Sequence, residues 1–277
     1  MVAQRILVLA PHPDDEVVAY GAAIGRARAE GSEVFVVFLT HGCPERSALW
    51  PWQRKGYAAR VVRRQREAEE VARLLGVTLL AETQRPARRV RHEGEAVLRE
   101  VRAALDAHAI THLWVPAYEG GNADHDMANG IGSVMDAIGW SSADSQGPRV
   151  WEFAAYNWAG GRVGAQTFPE INGTETTLTL TPEEQALKKR LLALYASERD
   201  NLGYVGTTRE CFRPLARYDY TRPPHPGTVW YARFQWVPFR HPRLDFTRPT
   251  EVSAAIEDLG RRWGAGAPTS TADVRGA

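Results

Sequence analysis

The chain has 277 residues, with 34 Lys and Arg against 33 Asp and Glu, a formal net charge of +1, and 44 % hydrophobic residues. That balance excludes a strongly basic nucleic-acid binder and an acidic solvating tail, and the apolar fraction suffices for the core of one large α/β domain. The two cysteines, Cys43 and Cys211, form no CxxC pair, so the chain is no disulfide scaffold, although one bridge between them stays open. No apolar stretch approaches the roughly 18 residues of a membrane helix. The apolar run 6–10 is too short for a signal sequence and is followed by His12 and Asp14. A soluble, cytoplasmic protein is the expectation.

In chain order, residues 5–10 read as a strand buried on both faces of a parallel sheet. Residues 17–30 read as a helix ended by Gly31, and 33–39 as the next strand, which completes a right-handed βαβ unit. The segment 40–56, with its glycines, two Pro and two Trp, is a loop at a strand end. The pattern then predicts an amphipathic helix at 58–75 capped by Gly76, a short strand at 77–80, a helix at 93–107 and a strand at 111–116. Pro116 suits a strand's end rather than its centre. A glycine-containing loop at 117–123 leads to a helix at 126–139, weakened by Gly130 and Gly132. A polar linker covers 141–148, and 149–157 reads as the last strand of the main sheet. Gly173 is expected to turn a hairpin between 167–172 and 175–180. Thr181 as cap, Pro182 at the first position and a Glu at the third mark the start of a helix that runs to about 197. Beyond Pro214 the Pro-rich and aromatic chain wraps the domain, and 264–277 reads as a frayed tail. The expected fold is a three-layer, Rossmann-like α/β domain with a mostly parallel sheet and a C-terminal extension: a core at 1–180, a helix and wrap at 181–263, then the tail.

The chemistry concentrates after the first strand, at Pro11-His12-Pro13-Asp14-Asp15-Glu16. Ligands of open parallel sheets bind beyond the carboxyl ends of strands. Three carboxylates in one turn repel one another unless a cation or donors compensate, and mixed oxygen and nitrogen donors suit zinc and its neighbours. The plainer reading is that Asp14 to Glu16 cap the next helix. A dinucleotide site fits poorly: GxGxxG is absent, no glycine precedes Gly21, and carboxylates would repel a pyrophosphate. A second cluster, Asn122-Ala123-Asp124-His125-Asp126, follows another strand. If the two strands are near neighbours, His125 completes a three-ligand site with His12 and Asp15, the two-histidine, one-carboxylate arrangement of catalytic zinc. Asp14 is then the candidate base, and Asp124 a partner for a histidine ring nitrogen.

These residues resemble the PIG-L/LmbE family of zinc-dependent N-deacetylases. The family's opening motif, a small residue and HPDDE, is matched by Pro11 and by His12 to Glu16, and its HPDH by Asn122 to His125. The resemblance implies zinc ligation by His12, Asp15 and His125, and Asp14 as general base. Thr40-His41-Gly42 resembles the family's T-x-G, and Arg64 to Glu67 its R-x-x-E, where the Arg contacts substrate. Ala196-Ser197-Glu198 resembles a late S-Q segment with Glu for Gln, and Glu210 to Arg213 and Pro223-Pro224-His225 the ending of bacterial members. The likeness spans roughly residues 5 to 240.

One departure stands out: Asn122 replaces the first histidine of HPDH, which in the family helps stabilise an oxyanion. An amide can donate to an oxyanion but cannot act as an acid. Asn122 suffices, or His41 or His225 substitutes in space, or the protein is a weakened or inactive member. The implied reaction is zinc-dependent removal of an acetyl group from an N-acetylated amino sugar or its glycoconjugate. The alternatives are cleavage of a larger sugar-linked amide and sugar binding without turnover. Arg64, His41 and Glu119 are the candidate substrate contacts. Trp50, Trp52 and Trp158 are stacking candidates whose plainer role is packing, and His92, His108 and His112 sit in structural contexts. A small-molecule substrate, no nucleic acid and no transmembrane segment are expected, and a homo-oligomer is allowed.

Overall fold

The chain builds strands β1 (Arg5–Ala10), β2 (Glu33–Phe38), β3 (Thr78–Leu79), β4 (His112–Pro116), β5 (Val150–Phe153), β6 (Tyr156–Asn157), β7 (Gly164–Ala165), β8 (Thr176–Thr179) and β9 (Arg209–Pro214). The helices are α1 (Asp15–Val18), α2 (Gly21–Ala29), α3 (Tyr57–Leu75), α4 (Gly94–Ala107), α5 (Ala123–Ile138), α6 (Pro182–Leu194) and α7 (Pro249–Arg262). They are seen in a computed structural model that describes residues 4–80, 82–141, 149–239 and 241–264. The polar segment at 142–148 and residues 265–277 of the expected tail lie outside the described residues.

The main sheet has the order β3-β2-β1-β4-β5-β9-β8. Its first five strands run parallel, and β9 and β8 add to it antiparallel. β1 shows why the apolar run is continuous. Successive side chains point to opposite faces, and both faces are covered. Leu7 and Leu9 pack with Val97, Leu98 and Val101 of α4, Met127 and Ile131 of α5, and Ile256 of α7. Ile6, Val8 and Ala10 pack with Ile24 of α2, Val71 of α3 and Leu191 of α6. Each such aliphatic side chain contributes about 1.5–3 kcal/mol by leaving water. The three-layer arrangement expected from the pattern is what forms.

Several boundaries differ from expectation. The helix expected at 17–30 is two, broken at Ala19-Tyr20. The buried side chains of Glu210 and Lys188 satisfy the groups that the break frees. Glu210 accepts from Ala22 N and Ala23 N, both at 2.9 Å, and Lys188 Nζ donates to Val18 O at 3.0 Å and to Glu210 at 2.7 Å. Strand β5 is not the last of the main sheet, because β9 and β8 extend it. The hairpin expected about Gly173 does not form. β8 pairs with β9, more than thirty residues on, and the local hairpin is β6 with β7. Helix α7 was not expected. Its signals were present: Pro249 at the first position, Glu251 at the third, and Val252, Ile256 and Leu259 on one face.

The capping box of α6 forms as read, Thr181 with Glu184, and the helix ends at Leu194. Helix α5 begins three residues before the expected start. Its glycines mark close approaches: a Cβ on Gly130 would lie 2.7 Å from Ile256 of α7, and one on Gly132 would lie 2.8 Å from Val115 of β4. Cys43 and Cys211 are both free and buried. Among the described residues no helix is long and apolar enough to cross a membrane.

Candidate metal centre

β1 and β4 are hydrogen-bonded neighbours, so the two motifs that follow them emerge side by side. The first leaves the sheet as a tight turn in which Asp14 has φ 127°. A non-glycine residue held there costs about 1–3 kcal/mol and persists only where its surroundings enforce it. They do. Arg64 of α3 is buried and donates from Nη2 to Pro13 O at 2.5 Å and to Asp14 Oδ2 at 2.9 Å. Its other terminal nitrogen is paired with Glu198. Glu16 accepts from Asp14 N at 2.9 Å through one oxygen and from the Tyr195 hydroxyl through the other.

These contacts decide between the two readings of the acidic turn. Asp14 sits at the N-cap position of α1, but its side chain makes no capping bond. Asp15 turns back instead. Its Oδ2 accepts from His12 N at 2.8 Å and lies 3.2 Å from His12 Nδ1 and 3.1 Å from His125 Nε2. Ligand atoms of His12, Asp15 and His125 all lie within 4.8 Å of one another.

The second motif supplies the remaining support. Asn122 caps α5, its Oδ1 accepting from Asp124 N at 2.8 Å. Asp124 points inward and accepts from His12 Nε2 at 3.1 Å, Arg88 N at 2.5 Å and Val90 N at 3.2 Å. If Asp124 takes the Nε2 proton when an ion is bound, Nδ1 is the His12 atom left free to ligate beside Asp15. A carboxylate that fixes the tautomer of a metal-ligating histidine is a recurrent arrangement. The sequence expectation for Asp124, a bond to a histidine ring, describes what is seen.

The donor set suits a cation. His125 is 1 % exposed, yet its Nδ1 has no hydrogen-bond partner and its Nε2 only the 3.1 Å contact with Asp15, too poorly aligned for a hydrogen bond. Leaving a buried polar atom unpaired is costly, and a metal ion bound by His12, Asp15 and His125 would remove that cost. The titration behaviour agrees. Burial opposes a charged His12, but its bonds to Asp124 and Asp15 raise it to about 10. Burial likewise opposes Asp15, yet His125 and His12 hold it well below the usual carboxylate range. Asp14 is different: burial pushes it up to about 7, against the pull of Arg64 and with the help of Asp15.

The expected substrate contacts are placed otherwise. Arg64 is 2 % exposed and holds Asp14, Pro13 and Glu198. Glu119 is fully buried and accepts from Ala155 N at 2.7 Å, Tyr156 N at 3.0 Å and Asn157 Nδ2 at 3.3 Å, so it clamps the β5–β6 junction rather than facing solvent. Half-buried His41 accepts from Cys43 N at 3.2 Å and meets the Tyr57 hydroxyl at 3.3 Å. His225 lies against Pro226 O through Nδ1. Trp50 and Trp52 stack on each other at 5.5 Å, and Trp158 meets Trp230 edge-on.

Three residues beside the centre escaped the sequence reading. Tyr156 meets the His125 ring edge-on at 5.5 Å, and Tyr204 and Trp230 lie 4.5 Å and 5.5 Å from Tyr156. Tyr156 lies in the two-residue strand β6, Tyr204 in a turn and Trp230 in a single 3-10 turn, none of them within a motif. For Tyr204 and Trp230 the signal was that aromatics recur beyond the last predicted core strand, 149–157, near whose end Tyr156 stands.

Comparison with known proteins agrees with this geometry. Residues 7–135 match the family model described as PIG-L, GlcNAc-PI de-N-acetylase. No curated protein matches the chain. Among solved structures it is similar to a deacetylase of the teicoplanin biosynthesis pathway (18 % identity, TM-score 0.59, 78 % of this chain and 99 % of that one). It is also similar to the zinc-inhibited form of a teicoplanin deacetylase (18 %, 0.55, 78 % and 99 %). A third likeness is to N,N'-diacetylchitobiose deacetylase from Pyrococcus horikoshii (19 %, 0.52, 77 % and 85 %). At such identities the structural likeness establishes the fold. The family model's match spans both motifs and the neighbouring strands that carry them.

Proposed function

We propose that the protein is a zinc-dependent N-deacetylase that removes the acetyl group from an N-acetylated amino sugar or its glycoconjugate. One observation carries the reading: His12, Asp15 and His125 converge, with Nδ1 of the buried His125 unpartnered, and Asp14 is held beside them in a strained turn. The solved structures of similar fold include deacetylases of teicoplanin biosynthesis and of diacetylchitobiose, which supports the acetamide of an amino sugar as substrate.

In this reading His12, Asp15 and His125 hold the ion, and Asp124 orients His12. When bound, zinc supplies a Lewis acid for the acyl carbonyl and lowers the pKa of a water. Asp14 takes a proton from the attacking water as its oxygen adds to the acyl carbon. As the carbon–nitrogen bond breaks, Asp14 passes that proton to the leaving nitrogen, which yields acetate and a free amine. A group that serves as base and then acid works best with a pKa near the operating pH, and burial has moved Asp14 in that direction. Arg64 keeps the carboxylate aimed and is a positioning residue rather than a substrate contact.

The test is release of free amine from a panel of N-acetylated mono- and disaccharides and of lipid- and thiol-linked N-acetylglucosamine, with zinc-loaded protein. Chelator-sensitive release supports the reading, and the rate ranking bounds the substrate. No release with zinc bound would move the assignment to a larger sugar-linked amide or to sugar binding without turnover.

A further inference from the structure

The deacetylase reading leaves one chemical place unfilled. An oxyanion forms on the acyl oxygen as water adds, and Asn122 occupies the motif position where the family carries a histidine. Asn122 has its Oδ1 committed to Asp124 N, so only its Nδ2 can donate. One neutral amide is a weak counterpart for a full negative charge.

The backbone sets a second donor beside it. Tyr156 follows the end of β5, with its N–H fixed on Glu119 at 3.0 Å and its strand paired with β7 at Ala165. The chain just before Asn122 lies flat on its ring. A Cβ on Gly121 would come within 2.1 Å of Tyr156 O and 3.1 Å of ring atoms Cδ2 and Cε2. Only glycine allows that approach, and it brings the outer end of the phenol toward Asn122. The ring also meets His125 edge-on at 5.5 Å and lies 4.5 Å from the Tyr204 ring. The hydroxyl interacts with the Asn122 amide and with Tyr204, and the carboxylates of Asp15 and Asp14 act on it. Burial, reinforced by those two carboxylates, pushes its pKa well above the ordinary value. A phenolic hydroxyl accepts through its oxygen and has one hydrogen to donate, here to an oxyanion.

We infer that the Tyr156 hydroxyl, side by side with the Asn122 amide, holds the oxyanion of the tetrahedral adduct in place of the missing histidine. The inference rests on the deacetylase reading. It assigns the two tasks of the absent imidazole to different residues: Tyr156 and Asn122 take the negative charge, and Asp14 alone moves the proton. It also gives Gly121 and Glu119 a purpose, since both fix where the phenol stands.

The test compares wild type with Tyr156→Phe, both zinc-loaded, by three readouts. Zinc content should be unchanged. The kcat should fall about 10²–10³-fold, the usual effect of deleting one oxyanion donor, with KM within about twofold. The third readout needs no turnover: calorimetric affinity for a methylphosphonamidate of glucosamine, whose tetrahedral phosphorus carries the oxyanion, against affinity for glucosamine itself. Tyr156→Phe should weaken the first about 100-fold and leave the second unchanged, a split that a merely structural role would not produce. If the variant does not fold, 3-fluorotyrosine at position 156, a stronger donor of the same size, should tighten analogue binding. Wild-type values of kcat and analogue affinity in Tyr156→Phe would overturn the inference while leaving the deacetylase reading intact. A wild-type protein that neither releases amine nor prefers the analogue over glucosamine would overturn both.

Discussion

Asp14 and Arg64 show how a strained residue is kept in place. The turn holds Asp14 at φ 127° because Arg64 grips both the Pro13 carbonyl and the Asp14 carboxylate. Asp14→Asn should therefore retain the metal and the fold, with turnover lowered at least 10²-fold, since it keeps the shape and removes the base. Metal analysis and steady-state kinetics on one preparation check this. His125→Ala and Asp15→Ala should instead lose stoichiometric zinc. Arg64→Met removes one partner from a buried pair and strands Asp14 and Glu198; such losses cost about 3–5 kcal/mol, to be read from urea unfolding. Wild-type stability in Arg64→Met would mean the grip is unimportant. At this scale the convergence of His12, Asp15 and His125, with Asp14 beside them, was legible in sequence because both motifs lie beyond the ends of neighbouring strands. The true partner of Arg64 was not, because α3 is dense with arginines. Its phase nevertheless held the answer: Arg64 shares the buried stripe of Ala68, Val71, Ala72 and Leu75.

Helix α5 joins the metal centre to the core, and its two ends can be tested separately. At the N-terminus, Asn122→Ala removes the cap and should cost about 1 kcal/mol, whereas Asn122→Ser restores a capping oxygen and should recover most of it. In the middle, Gly130→Ala would set a methyl 2.7 Å from Ile256. Overpacking of this kind costs about 1–3 kcal/mol. Combining it with Ile256→Val should recover part of the loss, a coupling that denaturant unfolding of the four-member cycle would measure. The glycines were visible in sequence but looked like helix breakers. Whether a glycine weakens a helix or lets another element approach depends on what packs there, and α7 lies more than a hundred residues away. The same limit explains the wrong hairpin: Gly173 does turn the chain, with φ 87°, but the partner of β8 is chosen by the distant β9.

For the molecule as a whole, the parallel half of the sheet followed from alternation of strand and helix, while the antiparallel edge did not. Nothing local distinguishes an edge strand from a wrapping segment. The electrostatics are also a property of the whole, since the cluster of His12, Asp14, Asp15 and Asp124 draws its ligands from both motifs. A metal at about 1,000 times its Kd adds about 4 kcal/mol, and a chelator should lower Tm by roughly 10 °C at the usual 2–4 °C per kcal/mol. Differential scanning calorimetry with and without chelator checks this; an unchanged Tm would mean that the ion is not held by the folded protein. A second global effect comes from Glu119. Burial raises its carboxyl from 4.5 to about 8. A raised folded-state pKa gives stability that is present below pH 4.5 and lost as pH rises toward 8. Glu119→Gln, which keeps an accepting oxygen for Ala155 N and Tyr156 N, should flatten that fall in a series of unfolding curves between pH 5 and 9.

The clamp of Glu210 and Lys188 on the α1–α2 joint has a consequence for the order in which the protein is made. Residues 18–23 are fixed by side chains that leave the ribosome almost two hundred residues later, and Glu16 waits equally long for Tyr195. The proposed ligands His12, Asp15 and His125 are all synthesised before the groups that steady the helices after the first motif. If these residues hold an ion as proposed, its capture is a late event in the life of the chain, and a nascent protein interrupted before α6 has the two motifs without their scaffold. In refolding, zinc uptake should follow the global tryptophan signal rather than precede it.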